Sequence, residues 1–161
     1  MKLKLSEPPD FDLAAAHKYF SARCFNQAWE LMEKAVRSED ENRLMAALSQ
    51  ASIYHWLQRE DRNDQRLSVG YWQASRIQSL LGNAAEAIRL ARISLGYSAH
   101  LNPFYLGYAH EALARAHGLA RDLAAAKQHL AAARECAARV SSKDERELLE
   151  SDLRQLAQDR E

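Results

Sequence analysis

The sequence predicts an all-α chain: about eight antiparallel helices, paired into hairpins that stack as a short α-solenoid. Three observations lead there. Among 161 residues, 29 are alanine, five glycine and three proline, a balance that favours helix and leaves few places to break one. Apolar residues recur at three- and four-residue spacing, and no stretch alternates as a strand does. Finally, one hairpin resembles the next at a constant offset of 39 residues, and a fixed period separates a stack from a closed bundle. With 47% apolar residues the chain can build a core, and its length suits one domain.

Residues 1–9 read as a flexible tail ending in Pro8-Pro9, and 10–161 as a single domain. Asp10 is placed to cap a first helix over about 11–22, with Leu13, Ala16 and Phe20 on one face. A second, over about 25–37, carries Phe25, Ala28, Trp29, Met32 and Ala35. The charged stretch 37–41 is a turn that leads into a third helix, over about 41–59, with Leu44, Leu48, Ala51 and Tyr54. The fourth runs over about 64–81, and Gly82 follows where a left-handed cap is wanted.

Asn83-Ala84-Ala85-Glu86 has the spacing of a capping box and opens the fifth helix, to about 98. Asn102 caps the sixth, with Pro103 at its first position, where a missing N–H costs nothing; it ends near 119. Asp122 caps the seventh, over about 123–139. Ser142-Lys143-Asp144-Glu145 is a second capping box. It opens a last helix, over about 142–158, that caps the stack.

The repeat lies over 64–99 and 103–139. Ala87 aligns with Ala126, Ala91 with Leu130 and Ser94 with Ala133, and the turn at Gly82-Asn83 with Arg121-Asp122. Small residues at these positions let two helices of a hairpin touch. In the first helix of the later hairpin, Leu113-Ala114 and His117 precede that turn at motif spacing. Ala28, Met32 and Ala35 look like a third, looser copy, with one extra helix inserted before the clear repeats.

This pattern resembles the tetratricopeptide repeat. The period exceeds the usual length of about 34 by the long turn around His100-Leu101-Asn102-Pro103-Phe104. Gln78 departs from a large apolar residue and Arg121 from the turn glycine. The chain also resembles a group of bacterial helical-repeat proteins without assigned activity, through Ser52-Ile53-Tyr54-His55-Trp56, Trp72-Gln73-Ala74-Ser75-Arg76 and the run from Tyr108 to Ala116. The resemblance implies a right-handed solenoid acting as a protein-interaction scaffold, and it transfers no catalytic residue.

In such hairpins the first helices line the concave face. The resemblance thereby points Val69, Trp72, Arg76 and Ser79 of the fourth helix, and Tyr108, Glu111, Arg115 and Gly118 of the sixth, into one groove. Arginine grips a carboxylate through two parallel hydrogen bonds, and Trp or Tyr supplies rigid apolar area. A protein or peptide partner bearing a carboxylate suits that surface. His55 and Trp56 join it if the third helix faces inward. The plainer alternative is that Trp72 and Tyr108 are packing residues and that Arg76 and Glu111 form an inter-helix salt bridge.

Other function classes find little support. Lys+Arg and Asp+Glu number 22 each, so no basic footprint for nucleic acid exists. No segment has the length and apolarity of a membrane span. No phosphate loop, zinc-protease or nucleophile-elbow motif occurs, so no cofactor, metal or catalysis is expected. His110 and His117 lie seven apart, as do His17 and Cys24, about 10 Å along a helix, too far for a shared proton or metal. Cys24 and Cys136 read as free thiols, and with no apolar leader the expectation is cytoplasmic residence. Two alternatives stand beside the scaffold: a homodimer formed through open ends of the stack, and a small-molecule sensor or enzyme with a pocket near His55, Trp72 and Arg76.

Overall fold

The computed structural model describes residues 10–158; the predicted 1–9 tail and the last three residues of the predicted domain lie outside them. Seven α-helices occur among the described residues, and no strand: α1 Leu13–Met32, α2 Glu39–Leu57, α3 Asp64–Leu80, α4 Ala84–Ser98, α5 Pro103–Leu119, α6 Leu123–Arg139 and α7 Lys143–Gln158.

The expected break near residue 23 is absent. The first two predicted helices are one 20-residue helix, so the count is seven rather than eight. No glycine or proline interrupts 13–32, and Ser21, Cys24 and Ala28 form one continuous buried stripe. Asp12, not Asp10, is the cap and accepts from the Ala15 N–H at 3.0 Å. At α2, Ser38 and Glu41 form a reciprocal capping box. At α4 the predicted box is not made. Asn83 caps no N–H there, because its side-chain amide donates to Gln78 Oε1 at 2.8 Å. Asn102 and Asp122 cap α5 and α6 as predicted, at 2.9 and 3.1 Å, and Ser142 accepts from the Glu145 N–H at 3.4 Å.

Each helix packs on its chain neighbour, most extensively within α1–α2, α3–α4 and α5–α6. The odd-numbered helices also meet one another: α1 touches α3, α3 touches α5, and α5 touches α7. Merging the first two predicted helices therefore removes the supposed insertion. Ala28 belongs to a first helix of a hairpin rather than to a copy of the second-helix pattern.

Close approach rests on small side chains. Ala87, Ala91 and Ala133 are fully buried and Ala126 nearly so. Between α3 and α4, Ser94 donates to the Ser68 carbonyl at 2.9 Å, Ser68 and Ser98 hydroxyls meet at 2.6 Å, and Ser75 donates to the Ala87 carbonyl at 2.8 Å. Ser75, Ser94 and Ser98 donate to backbone carbonyls and Ser68 bonds the Ser98 hydroxyl, which lets them lie in a tight seam without an unmet donor. At the far end Leu149, Leu153 and Leu156 of α7 close the core; each buried leucine contributes about 2 kcal/mol.

The two clear repeats end their first helices in the same way. Asn83 N–H donates to the Gln78 carbonyl and Gly82 N–H to that of Ser79; Asp122 and Arg121 repeat both bonds to His117 and Gly118. That double closure needs a left-handed residue. Gly82 has φ 80° and Arg121 φ 60°, so the arginine takes the strained position that glycine occupies without cost.

Candidate functional site

A cavity of about 550 Å³ lies along the odd-numbered helices. Phe25, Asn26 and Trp29 come from α1; Ser68, Val69, Trp72 and Arg76 from α3; Phe104, Tyr105 and Tyr108 from α5; Leu148 and Asp152 from α7. Spacing explains the α3 contribution: residues 69, 72 and 76 lie on one helical stripe, the opposite one holding Ala74 and Ile77 in the core.

The rings contact one another in a chain. Trp29 stacks on Trp72 with centroids 5.7 Å apart, Trp72 meets Tyr108 edge-on at 5.3 Å, and Tyr108 meets Phe104 edge-on at 5.0 Å. Edge-to-face contacts of this kind add about 1 kcal/mol beyond buried area, so the wall is rigid. The Arg76 guanidinium sits 5.6 Å above the Trp72 ring. No ion pair to Arg76 occurs among the described residues. Across the cavity Tyr108 donates its hydroxyl to Asp152 Oδ2 at 2.9 Å. Burial, then the Asp152 charge and hydrogen bond, raise the Tyr108 phenol; it stays protonated and holds the carboxylate in place.

The structure separates the sequence-predicted residues. Val69, Trp72, Arg76 and Tyr108 line the cavity together, and Trp72, 8% exposed, is at the same time a core residue packed with Ala91, Ala112, Leu113 and Tyr108, as the packing alternative expected. Glu111, Arg115, Ser79 and Gly118 do not. Glu111 is fully buried, accepts from Trp72 Nε1–H at 3.0 Å, and is held by Arg115 Nε–H at 2.9 Å and its terminal amine at 2.5 Å. The ion pair is thus Arg115–Glu111 within α5, not the alternative Arg76–Glu111 bridge, and Arg115 is committed to an internal carboxylate rather than to a ligand. The Ser79 hydroxyl is buried with no hydrogen-bond partner among the described residues.

His55 and Trp56 lie on α2, outside the cavity lining. His55 Nδ1 meets His17 Nδ1 at 2.8 Å, and Trp56 lies under the Arg59 guanidinium at 3.7 Å. The reason is the merged α1: it takes the first-helix place and turns α2 into a second helix, facing away from the groove. The same shift brings in Phe25 and Trp29, which the sequence reading placed on one face of a separate second helix. Their spacing of four was the available signal, but it does not say which neighbour they meet. Asp152 is 44 residues from Tyr108 and had no signal.

Three of the remaining histidines contact one another in pairs. His110 and His129 meet at 3.1 Å and His129 stacks on His117 at 5.6 Å, yet no group of three or more His, Cys, Asp or Glu placed to hold a metal occurs among the described residues. Burial raises the Cys24 thiol, which keeps it an unreactive core residue. No helix among the described residues is long and apolar enough to cross a membrane. Comparison with protein-family models, curated proteins and solved structures finds no match to this chain.

Proposed function

We propose that this chain is a non-catalytic binding scaffold. In this reading the hairpins form a short right-handed tetratricopeptide-like solenoid whose first helices hold a protein or peptide segment in the aromatic cavity, with a carboxylate of the partner on Arg76. The observation that carries it is the cavity lining: six aromatic side chains and one arginine with no internal ion pair, supplied by four helices. Rigid rings supply affinity at low entropic cost, and an uncommitted guanidinium supplies bidentate recognition. Because Arg115 is committed to Glu111, one arginine rather than two serves the ligand.

The test uses a displayed library of short peptides with free C-terminal carboxylates, read by tryptophan fluorescence, since Trp29 and Trp72 both line the site. Selected peptides are expected to lose about tenfold in affinity with Arg76→Ala and a similar amount when their carboxylates are amidated. Selected peptides indifferent to both changes overturn the reading. The volume also favours a second reading, a small aromatic carboxylate, because about 300–1,000 Å³ is the range of small-molecule sites. Binding of such an acid with no peptide selected decides for that class.

A further inference from the structure

The cavity holds two opposite charges that do not pair. Arg76 on α3 and Asp152 on α7 are the charged side chains of its lining, and neither makes an ion pair among the described residues. The wall beside Asp152 is aromatic: Phe104 meets Tyr105 and Tyr108 edge-on, with centroids 5.4 and 5.0 Å apart. Asp152 is half-buried. The Tyr108 hydroxyl occupies its Oδ2 and leaves Oδ1 without a hydrogen bond among the described residues. Taking a carboxylate out of water costs free energy, and one neutral donor offsets only part of it. A structural bond to Tyr108 needs no more than a neutral acceptor. A carboxylate beside aromatic rings suits a cation, which both attract.

The bases on the four lining helices are engaged elsewhere. On α7, Lys143 pairs with Glu147, Arg154 with Glu150, and Arg146 donates to the Val140 carbonyl at 3.4 Å. Apart from histidines, α5 adds only the Glu111–Arg115 pair. Arg66 of α3 lies by Trp56, and on α1 Arg23 lies by Tyr19 and Lys18 by Asp61. The other charges close to the lining are acids. Glu145 shares the α7 stripe of Leu148 and Asp152, and on α1 Glu30 and Glu33 are exposed, Glu33 accepting from the Trp29 Nε1–H at 2.8 Å. Burial, then the charge and hydrogen bond of Asp152 and the Glu111 charge, raise the Tyr108 phenol, whereas Arg76 lowers it. Both lining charges therefore act on one hydroxyl. Building on the scaffold reading, we infer that the α5–α7 half of the cavity takes a lysine or arginine side chain of the bound segment. The segment then spans the cavity with its carboxylate on Arg76 and its cation on Asp152.

Short displayed peptides with free C-terminal carboxylates test it. Selected peptides are expected to be enriched in lysine or arginine. Replacing that base by glutamine is expected to weaken binding to the unaltered chain about tenfold. Asp152→Asn, which keeps an acceptor for Tyr108 and removes the charge, is expected to cost the same. The two changes together are expected to cost little more than either alone, whereas the loss with Arg76→Ala adds to both. Glu33→Gln is expected to leave the preference intact, and Asp152→Lys to turn it towards acidic residues. Peptides that weaken with Arg76→Ala yet show no basic enrichment, or that bind the Asp152→Asn chain unchanged, overturn the cation subsite and leave the groove reading standing. So does a preference that is lost with Glu33→Gln instead. A library that yields no binder overturns both.

Discussion

The α3–α4 and α5–α6 hairpins share a backbone plan and differ in what they do with it. Both close their first helix with the same double hydrogen bond around a left-handed residue. At the groove stripe they diverge. Trp72 and Arg76 face the cavity, while the residues 39 later, Glu111 and Arg115, are drawn inward and joined to each other. Trp72 reaches across to its own counterpart, Glu111. A repeat thus preserves close packing, whereas each groove side chain goes where its charge can be satisfied. A carboxylate at the Trp72-equivalent position recruits the nearest arginine.

The largest way to break this pattern is Arg115→Ala. Glu111 is wholly buried and Arg115 is 21% exposed, so removing the cation strands a buried carboxylate. Urea unfolding is expected to show a loss of about 3 kcal/mol. The counterpart Arg76→Ala has no pair to break and is expected to move stability by less than about 0.5 kcal/mol. Equal losses would show that the two arginines are not differently employed.

The turn positions sharpen the comparison next. Arg121→Gly, which makes the second turn like the first, is expected to stabilise by about 1 kcal/mol in thermal unfolding, and Gly82→Ala to destabilise by a similar amount. A neutral result at both positions would mean the left-handed turn carries no strain.

A smaller difference is acid sensitivity. The later hairpin holds His110, His117 and His129 where the earlier one has Tyr71, Gln78 and Leu90. Burial lowers His110, against a weaker pull from Glu135. Burial, then His110, His117 and Arg92, lower His129. His117 lies 3.3 Å from Asp122. Imidazoles held neutral in the fold stabilise it fully above the unfolded value of about 6.5 and cease to do so as pH falls through their lowered values. The melting temperature is expected to drop between about pH 7 and pH 5, and His129→Leu to flatten that slope. An unaltered slope would assign the acid sensitivity elsewhere, with His17–His55 the next pair to test.

Much of the fold was legible. The limits of α5 and α6 follow from Asn102-Pro103 and Asp122, because a cap acts within one turn of its own residue. The 39-residue offset located equivalent positions down to the turn. The α1 boundary was not legible: Phe20 and Phe25 suggested two faces, and only contact with α2 shows Ser21, Cys24 and Ala28 as one stripe. That single error moved His55 and Trp56 into the groove and left Phe25 and Trp29 out of it.

Local chemistry in the chain was sufficient for helix content, most caps, the repeated turn and the stripe carrying Val69, Trp72 and Arg76, since each depends on residues a few positions apart. Tertiary structure alone decided that Glu111 is buried and takes Arg115 from the groove, that Asp152 meets Tyr108, and that α1 supplies a wall of the cavity. Those outcomes depend on which surfaces meet across tens of residues and on where a charge escapes the cost of desolvation, and no spacing along the chain encodes either.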